Sequence, residues 1–527
     1  MSRTINTPDG KSPSTILSTH ELICSHVVDW LAREAGVQID AIDADASLFE
    51  LGVDSLGAAS IAAELETATN KTLNPEVVYA LETINELAEY VDSLKPRAGA
   101  SVIASLDSVI VSLDDACAAA SLHESAVQDD DSDNPIQHYA MMNRRINTLK
   151  ERGLYFFEPE ISEHNDAWVV ADGKRMLMLG SYEYLGLLGH PHLKQTAIAA
   201  IEKFGTGHHG VRLLAGTTTI HRQLEAKLAD FMQTEDAVVY SSGYVTNLTT
   251  ISTLVGRGDC VIGDQWNHAS IMDGCRMSGA EFLEFRHNDM DSLAATLVRA
   301  AGRRTLVVVD SVFSMDGDIV DLPATVDLCQ KHNAMLMVDE AHSLGVLGET
   351  GRGVQEHFGL DPGDIDIKMG TLSKTLAGCG GFVAACEEIT TFLRHHARGY
   401  IFSGALPAGQ TSVAIAALEV IEREPELVQR LRENVAHYLS GLKKLGFDTA
   451  KSVTPIVPVM TNNEEITLEM TKLCRGEGLL VIPVAYPAVP VDAPRLRTCV
   501  SAIHTKEEID WALEVLARAG RQTQLIA

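Results

Sequence analysis

The stretch AMLMVDEAHSLGVLG, residues 334–348, decides the fold, because an apolar run stops there on Asp339-Glu340-Ala341-His342. A β-prone run that ends in an acid reads as a buried strand carrying its carboxylate to the rim of a sheet. Acids in that position serve two unrelated chemistries, a metal-bound nucleoside triphosphate or the ring of an organic cofactor. The residues on either side choose between them.

Working outward, the same pattern repeats: DAVVY (236–240), CVIGD (260–264), EFLEF (281–285), TLVVVD (305–310), IKMGTL (367–372) and GGFVAA (380–385) alternate with helical stretches. Strands that are apolar throughout and separated by helices imply an α/β fold, a mostly parallel sheet covered on both faces. Ligands of such sheets bind at the carboxyl ends of the strands. Residues 411–527, with helices and shorter strands, read as a smaller C-terminal α+β lobe.

A nucleotide-driven motor needs the cradle GxxxxGK[ST], because backbone N–H groups and the lysine must surround the phosphates. The strand-end lysine here is Lys374-Thr375, with Lys368 six residues before it and Ser373 immediately before it, so both glycines are missing. The chain also carries 42 Lys and Arg against 72 Asp and Glu, a formal charge of −30, which repels phosphate backbones and anionic membrane surfaces. Nucleic acid is excluded as a partner on that ground.

A pyridoxal-phosphate cofactor asks instead for a lysine to form a Schiff base, an acid for the ring nitrogen and small residues around a phosphate. IKMGTLSKTLAGCGGF (367–382) supplies Lys374, 35 residues after Asp339, framed by Thr371 and Ser373 and by Gly378, Gly380 and Gly381. Asp339 can hold the ring nitrogen protonated, and His342, three residues on, can address the phenolic oxygen. YSSGYVTNL (240–248) puts Ser242 and Gly243 between a strand and a helix, where backbone N–H groups can hold a phosphate.

With these pieces in order, residues 141–527 resemble the α-oxoamine synthases, the family of 8-amino-7-oxononanoate synthase, serine palmitoyltransferase, 5-aminolevulinate synthase and 2-amino-3-ketobutyrate ligase. SYEYLGLLGHP (181–191), GTGHHGVRLLAGTTTIHRQLE (205–225), NHASIMDG (267–274), VFSMDGD (312–318), VDEAHSLG (338–345), TLSKTLAGCGG (371–381), YIFSGALP (400–407) and RLRTCVSAIHT (495–505) carry the resemblance. It implies a fold-type-I pyridoxal-phosphate homodimer that condenses an amino acid (glycine, alanine or serine) with an acyl thioester and releases CO2. By position, Lys374 would be the Schiff-base lysine and general base, Asp339 the ring-nitrogen partner, His342 the phenolic-oxygen contact and His268 the residue stacked on the ring. Ser242, Gly243, Tyr244, Ser314, Thr371, Ser373 and Ser403 would surround the phosphate or the Schiff-base edge. Arg497 would hold the substrate carboxylate, with Tyr182, Glu183 and Arg212 lining the substrate site. Two positions depart from the family: Ser181-Tyr182-Glu183-Tyr184 stands where many members carry Asn, and Phe402-Ser403-Gly404-Ala405 where many read FSTS. The first leaves the amino-acid substrate open and the second weakens a contact to the neighbouring protomer's phosphate.

The front of the chain raises a second expectation. LFELGVDSLGAASIAAELE (48–66) places Ser55 at a turn before a helix with Ala58, Ile61, Leu65 and Ala68 on one face. As chemistry alone, Asp54 or Ser55 could simply cap that helix. The stretch resembles acyl and peptidyl carrier proteins, which implies a small all-α four-helix bundle over residues 16–95 with 4'-phosphopantetheine on Ser55, attached by a phosphopantetheinyl transferase. Lys95-Pro96 ends this unit. Residues 96–140 read as a linker of Ala, Ser and Asp holding one helix, with Ile103, Leu106, Ile110 and Leu113 on its apolar face, and then the acidic run QDDDSDN. If wholly flexible, that linker spans roughly 35 Å. The expected order is then carrier (16–95), linker (96–140), cofactor-binding core with its N-terminal arm (141–410) and small domain (411–527).

Nine scattered cysteines without a CxxC pair suit reduced thiols rather than disulfides or structural zinc, so no metal is expected. The polar opening MSRTINTPDGKSPST has no apolar core for export and no apolar run approaches the ~20 residues of a membrane span. The expected compartment is the cytoplasm. A thioester carrier joined to an enzyme that consumes thioesters suggests that the acyl donor arrives on Ser55 from an acyl-loading, polyketide or fatty-acid synthase enzyme. Three alternatives stand beside it: a carrier-linked aminotransferase, a CoA-dependent synthase, and a scaffold whose cofactor site is dead.

Overall fold

The computed structural model describes residues 143–527 apart from 487 and 491, residues 83–94, and scattered positions between 23 and 81. Ser55 and the expected linker helix lie outside the described residues. The chain divides into two compact units, residues 1–155 with 490–492 and residues 156–489 with 493–527.

In the first unit, helix α1 (Ile84–Ser93) starts where the Thr83 side chain accepts the Glu86 N–H. It buries Ile84, Leu87, Ala88 and Val91 against one apolar cluster that also holds Ile23, Val27, Leu31, Ile61 and Leu65. The helical spacing of those apolar residues therefore reflects a shared core.

The second unit is built on a seven-stranded sheet. In chain order its strands are β4 (Asp236–Tyr240), β5 (Cys260–Asp264), β6 (Glu281–Phe285), β7 (Thr305–Asp310), β8 (Met335–Asp339), β9 (Ile367–Thr371) and β10 (Gly381–Ala385), arranged β4-β10-β9-β8-β7-β5-β6. Strands β9, β8, β7, β5 and β6 run parallel, while β10 is antiparallel to both its neighbours. The two-sided burial expected from the apolar runs is visible in β7. Leu306 and Val308 join one core, with Tyr240 and Tyr400, while Val307 and Val309 join the other, with Leu224 and Leu336. Each such side chain contributes about 1.5–3 kcal/mol as an upper estimate.

The C-terminal strands form a three-stranded antiparallel sheet from β11 (Ile456–Met460), β13 (Ile482–Val484) and β14 (Arg495–Cys499), with β14 in the middle. A further sheet joins β1 (Ile161–Asn165), β2 (Trp168–Ala171) and β3 (Lys174–Met178) to β12 (Leu479–Leu480), which pairs parallel with β3. The three early strands were not anticipated. ISEHN is exposed along its whole length, so β1 carries no apolar alternation to read.

Among the described residues, no helix is long and apolar enough to cross a membrane. All eight described cysteines are free.

Candidate active site

The sheet delivers one group from each of five strand ends to a single rim. Past β4, Ser242 caps helix α2 (Gly243–Leu254) by accepting the Val245 N–H at 3.2 Å. Past β5, His268 caps helix α3 (Ala269–Ser278), and its own N–H donates to Asp310 Oδ2, at the end of β7, at 2.7 Å. Asp339 ends β8, with His342 one turn further on, and Lys374 follows β9.

Lys374 Nζ lies 2.7 Å from His342 Nε2, and His342 Nδ1 lies 2.6 Å from the hydroxyl of Tyr184, which is 1 % exposed. Burial pushes the Lys374 ammonium down to about 8, against the pull of Asp339 and Asp310. Burial also drives His342 well below the usual histidine range, and Lys374 and Arg497 add to this, so its imidazole is neutral. The Tyr184 phenol is pushed well up, again by burial. Asp310, buried near Asp339, is pushed well up for both reasons.

Asp339 is 4 % exposed and accepts two neutral donors, the Asn247 amide at 2.7 Å and the Ala341 N–H at 2.9 Å. Among the described residues, no cationic side chain forms an ion pair with it. A buried carboxylate held by dipoles alone is suited to a cationic ring nitrogen.

The phosphate end is shaped by close approach. A Cβ on Gly243 would sit 2.9 Å from Thr371 Oγ1, and one on Gly381 would sit 2.9 Å from the Gly243 nitrogen. Only glycine leaves the first turn of α2 open beside Thr371 and Ser373, whose hydroxyls are 2.8 Å apart. Tyr244, at that turn, donates to Asp273 and is 44 % exposed. An amine of lowered pKa, an unpaired acid and an N–H cradle together fit pyridoxal phosphate.

Arg497, on β14, is buried and donates from Nε to the Ser314 carbonyl at 2.8 Å, while the phenols of Tyr184 and Tyr182 lie close to its guanidinium. The neighbouring Arg495 binds Asp316 at 2.7 Å, so the 314–316 loop holds both arginines. Ser403 is half-buried in the loop before Gly404, which bridges to Val211.

Two expected substrate residues have other partners. Glu183 accepts the Leu188 N–H at 2.6 Å and sits 3.7 Å from His164, and its burial raises its pKa, so it closes its own loop. Arg212, 5 % exposed, binds Glu225 at 2.8 Å and Thr217 at 3.1 Å. Sequence reasoning missed Tyr184 and Asn247. Both stand inside quoted motifs, SYEY and YSSGYVTNL, yet their partners are 158 and 92 residues away.

The fold and this rim define a pyridoxal-phosphate-dependent enzyme of fold type I. Residues 174–516 match the family described as aminotransferase class I and II, and residues 25–91 match the phosphopantetheine attachment site family. The 8-amino-7-oxononanoate synthase of Symbiobacterium thermophilum is 45 % identical over 383 residues, 72 % of this chain and 97 % of the relative. Serine palmitoyltransferase of Sphingobacterium spiritivorum is 41 % identical over 381 residues, 72 % and 95 % of the two chains. Among solved structures, serine palmitoyltransferase from S. paucimobilis, bound to PLP and myriocin, superposes with a TM-score of 0.72 at 36 % identity over 75 % of this chain and 100 % of that one. The chain belongs to the α-oxoamine synthases, pyridoxal-phosphate-dependent acyltransferases, and carries a phosphopantetheine-attachment domain ahead of the enzyme.

Proposed function

We propose that this enzyme condenses glycine, alanine or serine with an acyl group delivered on its own phosphopantetheinylated Ser55, releasing CO2 and an α-aminoketone. The observation that carries the reading is the presence, in one chain, of a thioester carrier and a synthase whose relatives catalyse decarboxylative condensation. Tethering raises the local donor concentration towards about millimolar, which favours the carrier-bound donor over a free one.

In this reading residues 16–95 are the carrier, 96–140 the linker, 141–410 the cofactor-binding core with its N-terminal arm, and 411–527 the small domain. The enzyme works as a cytoplasmic homodimer, is primed by a phosphopantetheinyl transferase and receives its acyl group from an upstream loading or synthase enzyme.

Pyridoxal phosphate, when bound, supplies an aldehyde for the substrate amine and a protonated ring that accepts the electron pair left at the α-carbon. Asp339 would hold the proton on the ring nitrogen, His342 would address the phenolic oxygen, and the α2 N-terminus with Thr371 and Ser373 would hold the phosphate. His268 would lie against the ring. Arg497, its Nε fixed by Ser314, would present its remaining N–H donors to the substrate carboxylate. Lys374 would take the α-proton. An amine with a pKa of about 8 is neutral in part near pH 7 and still basic enough to accept it.

Ser55→Ala tests the delivery route. The variant, given the same acyl-loading enzyme and amino acid, forms no product; equal product from free acyl-CoA in the variant and the wild type would overturn tethered delivery.

A further inference from the structure

Two buried residues outside the cofactor set link His268 to Asp339. Asn247, on α2, is 1 % exposed, and Ser270, on α3, is fully buried. Asn247 Nδ2 donates to Asp339 Oδ2 at 2.7 Å and to Ser270 Oγ at 3.0 Å. Ser270 Oγ lies 2.7 Å from His268 Nδ1, and the Ser270 backbone N–H donates to that same nitrogen at 3.3 Å.

The donors in this chain can be counted. A serine hydroxyl has one proton. Its oxygen accepts from Asn247, and His268 Nδ1 receives the Ser270 amide N–H, which can only donate, so the hydroxyl proton also points to that nitrogen. Nδ1 must then hold a lone pair, and the imidazole proton sits on Nε2. The cost of the arrangement shows in Asn247 Oδ1, which is buried with no hydrogen-bond partner among the described residues. An unmade hydrogen bond of that kind is costly, so this amide is held in place for its two N–H groups. His268 is exposed at the rim, and the protein packed around its ring removes part of its hydration, which lowers its pKa in the same direction.

We propose that Asn247 and Ser270 are positioning residues, a relay that fixes His268 as the neutral Nε2–H tautomer and ties its orientation to the carboxylate of Asp339. The inference rests on the reading that His268 and Asp339 meet the pyridoxal ring, and it deepens that reading. A neutral imidazole lies against a cationic ring without charge repulsion, and its Nε2–H is left free to donate to substrate. Without Ser270 the ring gains access to its protonated form as pH falls, and cofactor binding weakens in acid.

The test uses the full-length, cofactor-free protein with 15N-labelled histidine, the His268 signal being assigned by its loss in His268→Gln. In the wild type His268 shows the Nε2–H pattern and titrates below the ordinary histidine value. Ser270→Ala shows mixed tautomers that titrate above the wild type, and Ser270→Thr, which keeps the hydroxyl, restores the wild-type pattern. The Kd for pyridoxal phosphate of Ser270→Ala, relative to wild type, rises severalfold, up to about fourfold, between pH 8 and pH 6. A proton on Nδ1 in the wild type, or an unchanged spectrum in Ser270→Ala, would overturn the relay. Because the spectra need no cofactor, a chain with the expected tautomer that failed to bind pyridoxal phosphate would overturn the proposed function and leave the relay standing.

Discussion

Lys368 and Lys374 stand six residues apart on one segment, and burial pushes both down to about 8. Their surroundings differ completely. Lys368 lies within β9, is 1 % exposed, and donates to the Met232 carbonyl at 2.8 Å and to Gln355 at 3.3 Å, near Glu340, whose carboxyl burial raises to about 7. Lys374 lies beyond the strand end and meets a neutral imidazole at 2.7 Å. A lowered pKa therefore does not distinguish a working lysine from a structural one. What distinguishes it is its place beyond the strand end, at the rim that also holds Asp339 and His342.

The largest effect separates these two lysines directly. Lys374→Ala lowers turnover by at least about 10³-fold and removes the visible absorbance of the lysine-bound cofactor, with little change in thermal stability. Lys368→Met shows the reverse, a loss of about 1–3 kcal/mol in denaturant unfolding with turnover nearly retained. Equal losses of turnover in the two variants would break the comparison.

A pair of histidines sharpens the same point. His342 is driven well below its ordinary pKa, whereas His287 sits between Asp264 at 3.0 Å and Asp318 at 2.9 Å. Burial alone would lower the His287 imidazole, but its hydrogen bonds to those two acids overcome this and raise it to about 9. A folded pKa above the unfolded value of about 6.5 gives stability that is fully present below pH 6.5 and lost as pH rises through about 9, up to about 3 kcal/mol. Unfolding measured across that window shows this decline in the wild type and a flatter profile in His287→Gln.

The smallest effect belongs to Tyr184→Phe, which keeps the ring and removes the hydroxyl at His342 Nδ1. Turnover falls about tenfold, with KM for the amino acid changed less. Unchanged turnover would remove Tyr184 from the site.

The strand-end groups were legible because each lies next to its own strand: the β8 run ends on Asp339, and Lys374 closes the segment after β9. The strands of the large sheet were equally readable, since all but the edge strand β6 are buried on both faces. Tyr184 and Asn247 were not. Each role depends on a contact across the fold, and no local spacing encodes the approach of α2 to β8. Glu183 and Arg212 differ, because their partners, Leu188 N–H and Glu225, lie 5 and 13 residues away within the same motifs. Strand β1 escaped notice because ISEHN is exposed and polar, and its pairing is set by β2 alone.

The central claim, decarboxylative condensation on a carrier-borne acyl group, is tested most directly by carboxyl-labelled amino acid supplied to the acyl-loaded full-length enzyme. The account predicts labelled CO2 in step with α-aminoketone, both dependent on Lys374. Transfer of the amino group with the label retained in the keto acid would contradict it.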